Sequence, residues 1–390
     1  MRTLSTKSVA YLTSVRRSLH QRPEISGEEK HTAARIVQEL SQAGADQIWQ
    51  NLGGYGVAAA FCGENPGPTV LFRCELDALP IAEKTNLAYT SEIEGKGHLC
   101  GHDGHMCMVL GVALGLAQRP THGRVILLFQ PAEETGFGAK AVIDDIRWPE
   151  IRPDYAFAFH NVPGRPLGEI GLHTGPATCA SRGMQIIFHG KSSHAAAPED
   201  GVSPAAEMAS LMLKIPMLGA GTIADADFSL STLTHVRLGE PTFGVAPGAG
   251  ELRVTLRSKT NDRMHDMMAK IQAMLDEIMP PLEVEVFWHD VFPAATNSVE
   301  ATNIARNAAD IRKLNTHEMQ HPMKWSEDFG HLGLDGANAT MLFLGSGIHQ
   351  PQLHNPDYDF PDELLPVGTE LLLEIVHKTL DFEACQIDQP

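Results

Sequence analysis

Between residues 183 and 289 the chain departs from an alternation that it keeps everywhere else. Before that point, strand-sized apolar runs take turns with helical periodicities. Helices are predicted over 6–20 and 28–44, strands over 56–61 and 69–73, and a helix over about 106–117. A strand over 124–130, a helix over 138–144 and a strand over 155–160 follow. Ala33, Ile36, Val37 and Leu40 recur at helical spacing and Gly44 ends that helix, while Pro23 forbids continuation of the first. Then six elements come in a different order: strand 183–189, helix 204–218, strands 231–238 and 251–258, helix 261–278 and strand 282–289. That order, βαββαβ, is the ferredoxin-like split βαβ unit. Helices over 301–314 and 363–379, with a strand over 340–344, then restore the first pattern. The expectation is an α/β domain of residues 1–178 and 292–390, interrupted by an inserted domain of 179–291.

A chain of 390 residues, 43% hydrophobic and 20% charged, has the length and composition for two such cores. The formal charge of −18 opposes nucleic acid or an anionic membrane as partner, since both would be repelled. Residues 1–23 hold no apolar stretch like that of a signal peptide, and the burst 125–129 is far too short to span a bilayer. Six cysteines (Cys62, Cys74, Cys100, Cys107, Cys179 and Cys385) in so long a chain do not form the pattern of a disulfide framework. A cytoplasmic location is the expectation.

Chemistry concentrates in Cys100-Gly101-His102-Asp103-Gly104-His105. A thiol, imidazoles and a carboxylate make the ligand set of a borderline-soft divalent metal, and the glycines let the backbone turn them to one point. Glu133 and Glu134 leave the apolar strand 124–130 together. One of such a pair can bind a metal while the other works as a base, although a pair capping a helix would look the same. His160 ends another strand, and His354 lies in a loop with Pro356. A nucleophilic Cys100 beside a histidine is the competing reading, but it leaves the paired glutamates and the two remote histidines unused.

Taken together, these segments resemble the M20 family of metallopeptidases and aminoacylases, in its amidohydrolase branch of hippurate, N-acyl-amino-acid and auxin-conjugate hydrolases. The resemblance runs nearly end to end. It starts at Arg17-Ser18-Leu19-His20-Gln21-Arg22-Pro23-Glu24 and passes through Asp77-Ala78-Leu79-Pro80, the cysteine-histidine segment and Gln130-Pro131-Ala132-Glu133-Glu134. It continues through residues 190–198, Ser326-Glu327-Asp328-Phe329 and Leu353-His354-Asn355-Pro356.

The resemblance implies a zinc-peptidase-like catalytic domain with an inserted lid and dimerisation domain. It implies two divalent metal ions per chain, manganese or zinc, with cobalt or nickel also suited to the donors. Cys100, His102, Glu134, His160 and His354 would hold them, with the Cys100 thiolate as bridge and Asp77 and Asp103 orienting the ligands. Glu133 would be the general base. His194 would reach the active site of a partner subunit and steady the oxyanion, so the expected assembly is a homodimer or a higher homo-oligomer. Arg257 would grip the substrate's carboxylate; the alternation of Leu252, Val254 and Leu256 places it on the opposite strand face, where a merely solvated arginine would also stand. The implied substrate is an N-acyl amino acid or a related small conjugate. A carboxypeptidase, an aminohydrolase or a non-catalytic metal binder on the same scaffold are the alternatives.

Two positions depart from the family pattern. Gly244 stands in Gly244-Val245-Ala246-Pro247 where relatives have an asparagine that helps hold substrate, and Glu75 replaces the usual aspartate. Gly244 widens the range of acyl groups and leaving groups to be considered.

Overall fold

The computed structural model describes residues 4–381; Cys385 lies outside them. They divide into two units. One runs up to Ala177 and resumes over Thr296–Gln320 and from Asp328 onward; the other comprises Thr178–Ala295 with His321–Glu327.

The first unit is built on an eight-stranded sheet. Its order is Gln47–Leu52, Gly56–Cys62, His122–Gln130, Asn65–Glu75, Tyr155–Val162, Asn338–Gly345, Ile170–Leu172, Thr316–Glu318. The four strands from His122–Gln130 to Asn338–Gly345 are mutually parallel. Helices cover such strands on both faces, which is why 125–130 is buried without interruption and reads as a continuous apolar run. Helix Thr6–His20 has the expected ends, Ser5 accepting from the amide of Ser8 at its start. The short strands Ile170–Leu172 and Thr316–Glu318 carry too little alternation to be recognised alone.

The helix expected from about 106 begins earlier, at His102, and runs to Gly115. Gly101 adopts φ +96°, which a side chain would resist, and a Cβ there would fall 2.4 Å from Asn161 Oδ1. Residues 102–105 of the cysteine-histidine segment are therefore the first turn of a buried helix, with Cys100 and Gly101 just before it. Gly111 and Gly115 let that helix lie close to Leu364–Val376, since Cβ atoms there would meet Thr369 Oγ1 at 2.4 Å and Leu373 at 2.6 Å.

The second unit has a four-stranded antiparallel sheet in the order Ser229–Leu238, Ala249–Ser258, Ala180–His189, Glu283–Phe292. Met184, Ile186, Phe188, Leu252, Val254 and Leu256 point from it into a core shared with Ala205–Lys214 and Asn261–Asp276. This is the ferredoxin-like arrangement. No helix among the described residues is long and apolar enough to cross a membrane. None of the five described cysteines is in a disulfide.

Candidate metal centre

Parallel strands expose their carboxyl ends along one edge of a sheet, and ligands in α/β folds gather there. Asn65–Glu75 delivers Glu75 and then Asp77, His122–Gln130 delivers Glu133 and Glu134, and Tyr155–Val162 delivers His160. Helix His102–Gly115 starts at this edge. Beyond Asn338–Gly345 the chain returns with His354, whose φ of +65° and amide bond to the carbonyl of Leu99 (2.9 Å) seat it beside the cysteine segment.

The donor atoms of Cys100, His102 and His160 lie within 4.8 Å of one another, as do those of Cys100, Glu134 and His354. Cys100 belongs to both groups. His102, Glu133 and Glu134 form a third group that overlaps them. Cys100 Sγ is 3.5 Å from His160 Nε2, and His354 Nε2 is 3.6 Å from Glu134 Oε1. In both buried histidines Nδ1 is engaged by a backbone carbonyl, of Asp77 for His102 (2.8 Å) and of Asn161 for His160 (2.9 Å). That directs Nε2 inward, the tautomer a metal ligand needs. Asp77 accepts from Ser26 Oγ (2.7 Å) and from the amide of Glu134 (3.0 Å). It thus holds His102 through its carbonyl and Glu134 through its carboxylate.

Electrostatics identify what the cluster lacks. His102 Nε2 and Glu134 Oε1 are buried without a hydrogen-bond partner among the described residues, 3.9 Å apart. Leaving such atoms unsatisfied costs about 1–3 kcal/mol each. Burial works against a charged His102, yet Glu75, Asp77 and Glu134 push its pKa up to about 10. Burial also pushes Glu134 up to about 7, against the opposing pull of His102. The thiolate, imidazole and carboxylate donors of this acidic pocket suit divalent cations.

Residues 71–378 match peptidase family M20/M25/M40. The chain belongs to this family. It is 32% identical over 375 residues to the N-acetyl-L-cysteine deacetylase of Bacillus subtilis strain 168, a match covering 95% of this chain and 88% of that protein. It is 28% identical over 370 residues to the hippurate hydrolase of Campylobacter jejuni, covering 94% and 96%. Among solved structures it resembles the YXEP protein of Bacillus subtilis, described as a dinuclear metal-binding peptidase from the M20 family. That likeness has a TM-score of 0.80 at 25% identity and covers 97% of this chain and 99% of the other. This M20 chain is a hydrolase acting on amides, metal-dependent, with donor groups for two divalent ions.

Asp103 departs from the expectation that it orients the ligands. It follows His102 by about 100° around the helix, and its carboxylate turns to Arg16 Nη1 (3.0 Å) and His20 Nδ1 (2.9 Å). Glu83 approaches the other nitrogen of His20 at 3.3 Å. Burial alone would lower the His20 pKa, but Asp103 and Glu83 raise it from 6.5 to about 9. The folded chain therefore binds this proton more tightly than the unfolded chain does. The resulting stabilisation is complete below pH 6.5 and drains away as the pH rises through about 9. At about 1.4 kcal/mol per pH unit it amounts to roughly 3 kcal/mol. Urea unfolding of wild type and His20→Gln at pH 6 to 9.5 should show their stability difference shrinking with pH; a constant difference would exclude this proton as its source.

A buried polar network beneath the metal donors escaped the sequence reading. Arg73 Nη1 pairs with Glu75, Nη2 with Asp328 Oδ1 (2.7 Å), and Nε donates to Gln130 Oε1 (2.9 Å). Gln130 and the amide of Ala139 also donate to Asp328. Glu75 Oε2 bonds His105 Nδ1 (2.7 Å), whose Nε2 meets Asn161 Oδ1 (2.6 Å). His105 thus has both ring nitrogens engaged. The available signal was Arg73 and Glu75 at alternate positions after the apolar run 70–72, with Asp77 two residues beyond the strand end.

His194 and Arg257 lie in the second unit. His194 is exposed on a two-stranded ribbon, opposite Val245. Arg257 is half-buried and donates to the carbonyl of Lys324 and to Ser326 Oγ, both at 3.1 Å.

Proposed function

We propose that the chain hydrolyses the amide of an N-acyl amino acid or a related small conjugate, with Glu133 as general base. One observation carries this reading. The two donor groups that share Cys100 account for Cys100, His102, His160, Glu134 and His354, while Glu133, buried with Oε2 3.9 Å from His102 Nε2, belongs to neither. A site for binding alone has no use for that second carboxylate.

Cys100, His102, Glu134, His160 and His354 would hold two divalent ions, of manganese, zinc, cobalt or nickel. When bound, these supply Lewis acidity that polarises an amide carbonyl and lowers the pKa of water. Glu133 takes the proton from the attacking water and returns it to the leaving nitrogen. Asp77 and the carbonyl of Asn161 keep His102 and His160 in the required tautomer.

The second unit supplies groups for the substrate. The amide of Ala196 donates to His194 Nδ1 (3.0 Å), so in the neutral ring Nε2 carries the hydrogen. That N–H is a donor for a developing oxyanion, provided in this proposal by the partner chain of a homodimer. Arg257 has no carboxylate partner among the described residues and keeps its fork for the carboxylate of a substrate. A Cβ on Gly244 would meet nothing within 4 Å, so packing does not demand glycine there. The missing side chain leaves room beside the His194 ribbon for a bulkier acyl or leaving group.

Amine release from N-acetyl, N-benzoyl and N-fatty-acyl amino acids and aryl amides tests the reading. Release should vanish on chelation and return with manganese or zinc. His194→Ala should lower kcat about 10²–10³-fold at unchanged metal content. Turnover that persists in the stripped protein would sink it.

A further inference from the structure

Glu133 and Glu134 leave their strand through a turn that the backbone resists. Ala132, just before them, has φ +50°, a left-handed conformation in which the Cβ of an alanine crowds the carbonyl oxygen. Both of its peptide groups are restrained. Its carbonyl accepts from Thr135 Oγ1 (3.1 Å) and the amide of Gly138 (3.2 Å). Its amide donates to Oε1 of Glu29 at 2.8 Å, from far away in the sequence.

Glu29 is fully buried, and its Oε2 has no partner among the described residues. Burying a carboxylate with one oxygen unsatisfied is costly, so the position needs a reason. The adjacent helix Lys30–Gln42 does not supply it. Glu29 makes no side-chain cap bond, and Glu24 caps instead, accepting from the amides of His31 and Thr32 (2.8 Å each) and from Thr32 Oγ1. Burial raises the Glu29 pKa, while the amides of Glu29, Gly27 and Ala132 oppose the rise. The rest of this loop engages the other edge of the site: the Glu24 carbonyl accepts from the amide of Ala78 (2.8 Å), and Ser26 bonds Asp77.

We infer that Glu29 is a positioning residue: its carboxylate locks the left-handed turn at Ala132 and so sets the direction in which Glu133 and Glu134 enter the cluster. The inference rests on reading Glu133 as the base. Its logic is geometric, because a displacement of about 1 Å in a catalytic group can cost 10²-fold in rate.

Four measurements test it. Glu29→Ala should lower kcat about 10–100-fold, with KM changed less than about threefold. Glu29→Gln keeps the acceptor oxygen and should stay within about threefold of wild type. In the metal-free protein, hydrogen–deuterium exchange of a peptide spanning 129–136 should rise about tenfold or more in Glu29→Ala, and less in Glu29→Gln. Adding Ala132→Gly to Glu29→Ala should restore part of kcat, because glycine takes φ > 0 without strain. Glu29→Met replaces the alanine variant if that one does not fold. Wild-type kcat with unchanged exchange in Glu29→Ala would overturn the inference. So would a Glu29→Gln as impaired as Glu29→Ala, which would show that charge, not the acceptor, matters. If wild type released no amine from any substrate, the Glu133 reading would fail, while the exchange data would still judge Glu29.

Discussion

Glu133→Gln is expected to bind its metal ions as wild type does and to lose about 10²–10⁴-fold in kcat. The substitution is nearly isosteric, so the packing of a residue only 4% exposed is kept. On the proposed mechanism, what disappears is the ability to accept a proton from water and to hand it to the leaving nitrogen. The two donor groups sharing Cys100 do not include Glu133, so metal stoichiometry by elemental analysis should be unchanged. KM should move little, because an interaction made only in the transition state is removed. Glu134→Gln provides the contrast, since Glu134 is in a donor group with Cys100 and His354 and its loss should lower metal occupancy. If Glu133→Gln also shed metal, Glu133 would be a ligand. If it kept full kcat, the base would have to be sought elsewhere.

The second large effect is on stability. Arg73→Met should cost about 3–5 kcal/mol, because it strips a buried pair of carboxylates of their shared cation. Glu75 and Asp328 are fully buried, and the guanidinium bridges them. Even with Arg73 present, burial pushes Asp328 up to about 6; without it the group should protonate more readily still. The penalty should therefore be largest above pH 6 and shrink toward acid pH. Such a loss lowers the thermal midpoint by roughly 4–6 °C in a protein of this size. The triple variant Arg73→Met, Glu75→Gln, Asp328→Asn should recover part of it, since no net charge is then buried. A single variant within about 1 kcal/mol of wild type would show that the network is not held together by charge.

How far the sequence could be read depended on the range of the interactions involved. Helix Thr6–His20 was legible at both ends because its cap and its stop are local. The inserted βαββαβ order was legible because each element carries its own periodicity. The early start of the helix at His102 was not, since four consecutive residues as polar as His102-Asp103-Gly104-His105 imitate a loop. They are buried only because Asp77, Asn161, Glu75, Arg16 and His20 supply partners from elsewhere. The donor set was legible through its motifs and meets in space. The orientation of Asp103 depended on helical phase, which a motif does not convey. The pairing of Arg73 with Asp328 spans 255 positions, and nothing near either residue announces the other. Glu29 stood beside a recognised segment, yet its partner is a backbone amide, which leaves no mark on residue identity.

The insertion also governs the order in which this protein can become complete. The unit that contains residues 178–295 is almost contiguous, while the unit it interrupts is not. Strand Asn338–Gly345 lies between Tyr155–Val162 and Ile170–Leu172 in the sheet, and His354 comes later still. During synthesis, the chain emerging from the ribosome has Cys100, His102, Glu134 and His160 long before the fifth donor exists. Until residue 354 is made, one of the two donor groups is a thiol and a carboxylate alone, and until residue 345 is made the sheet beneath it has a gap in its middle. A nascent chain stalled anywhere before that point is therefore without a finished metal centre, however well its inserted unit has folded.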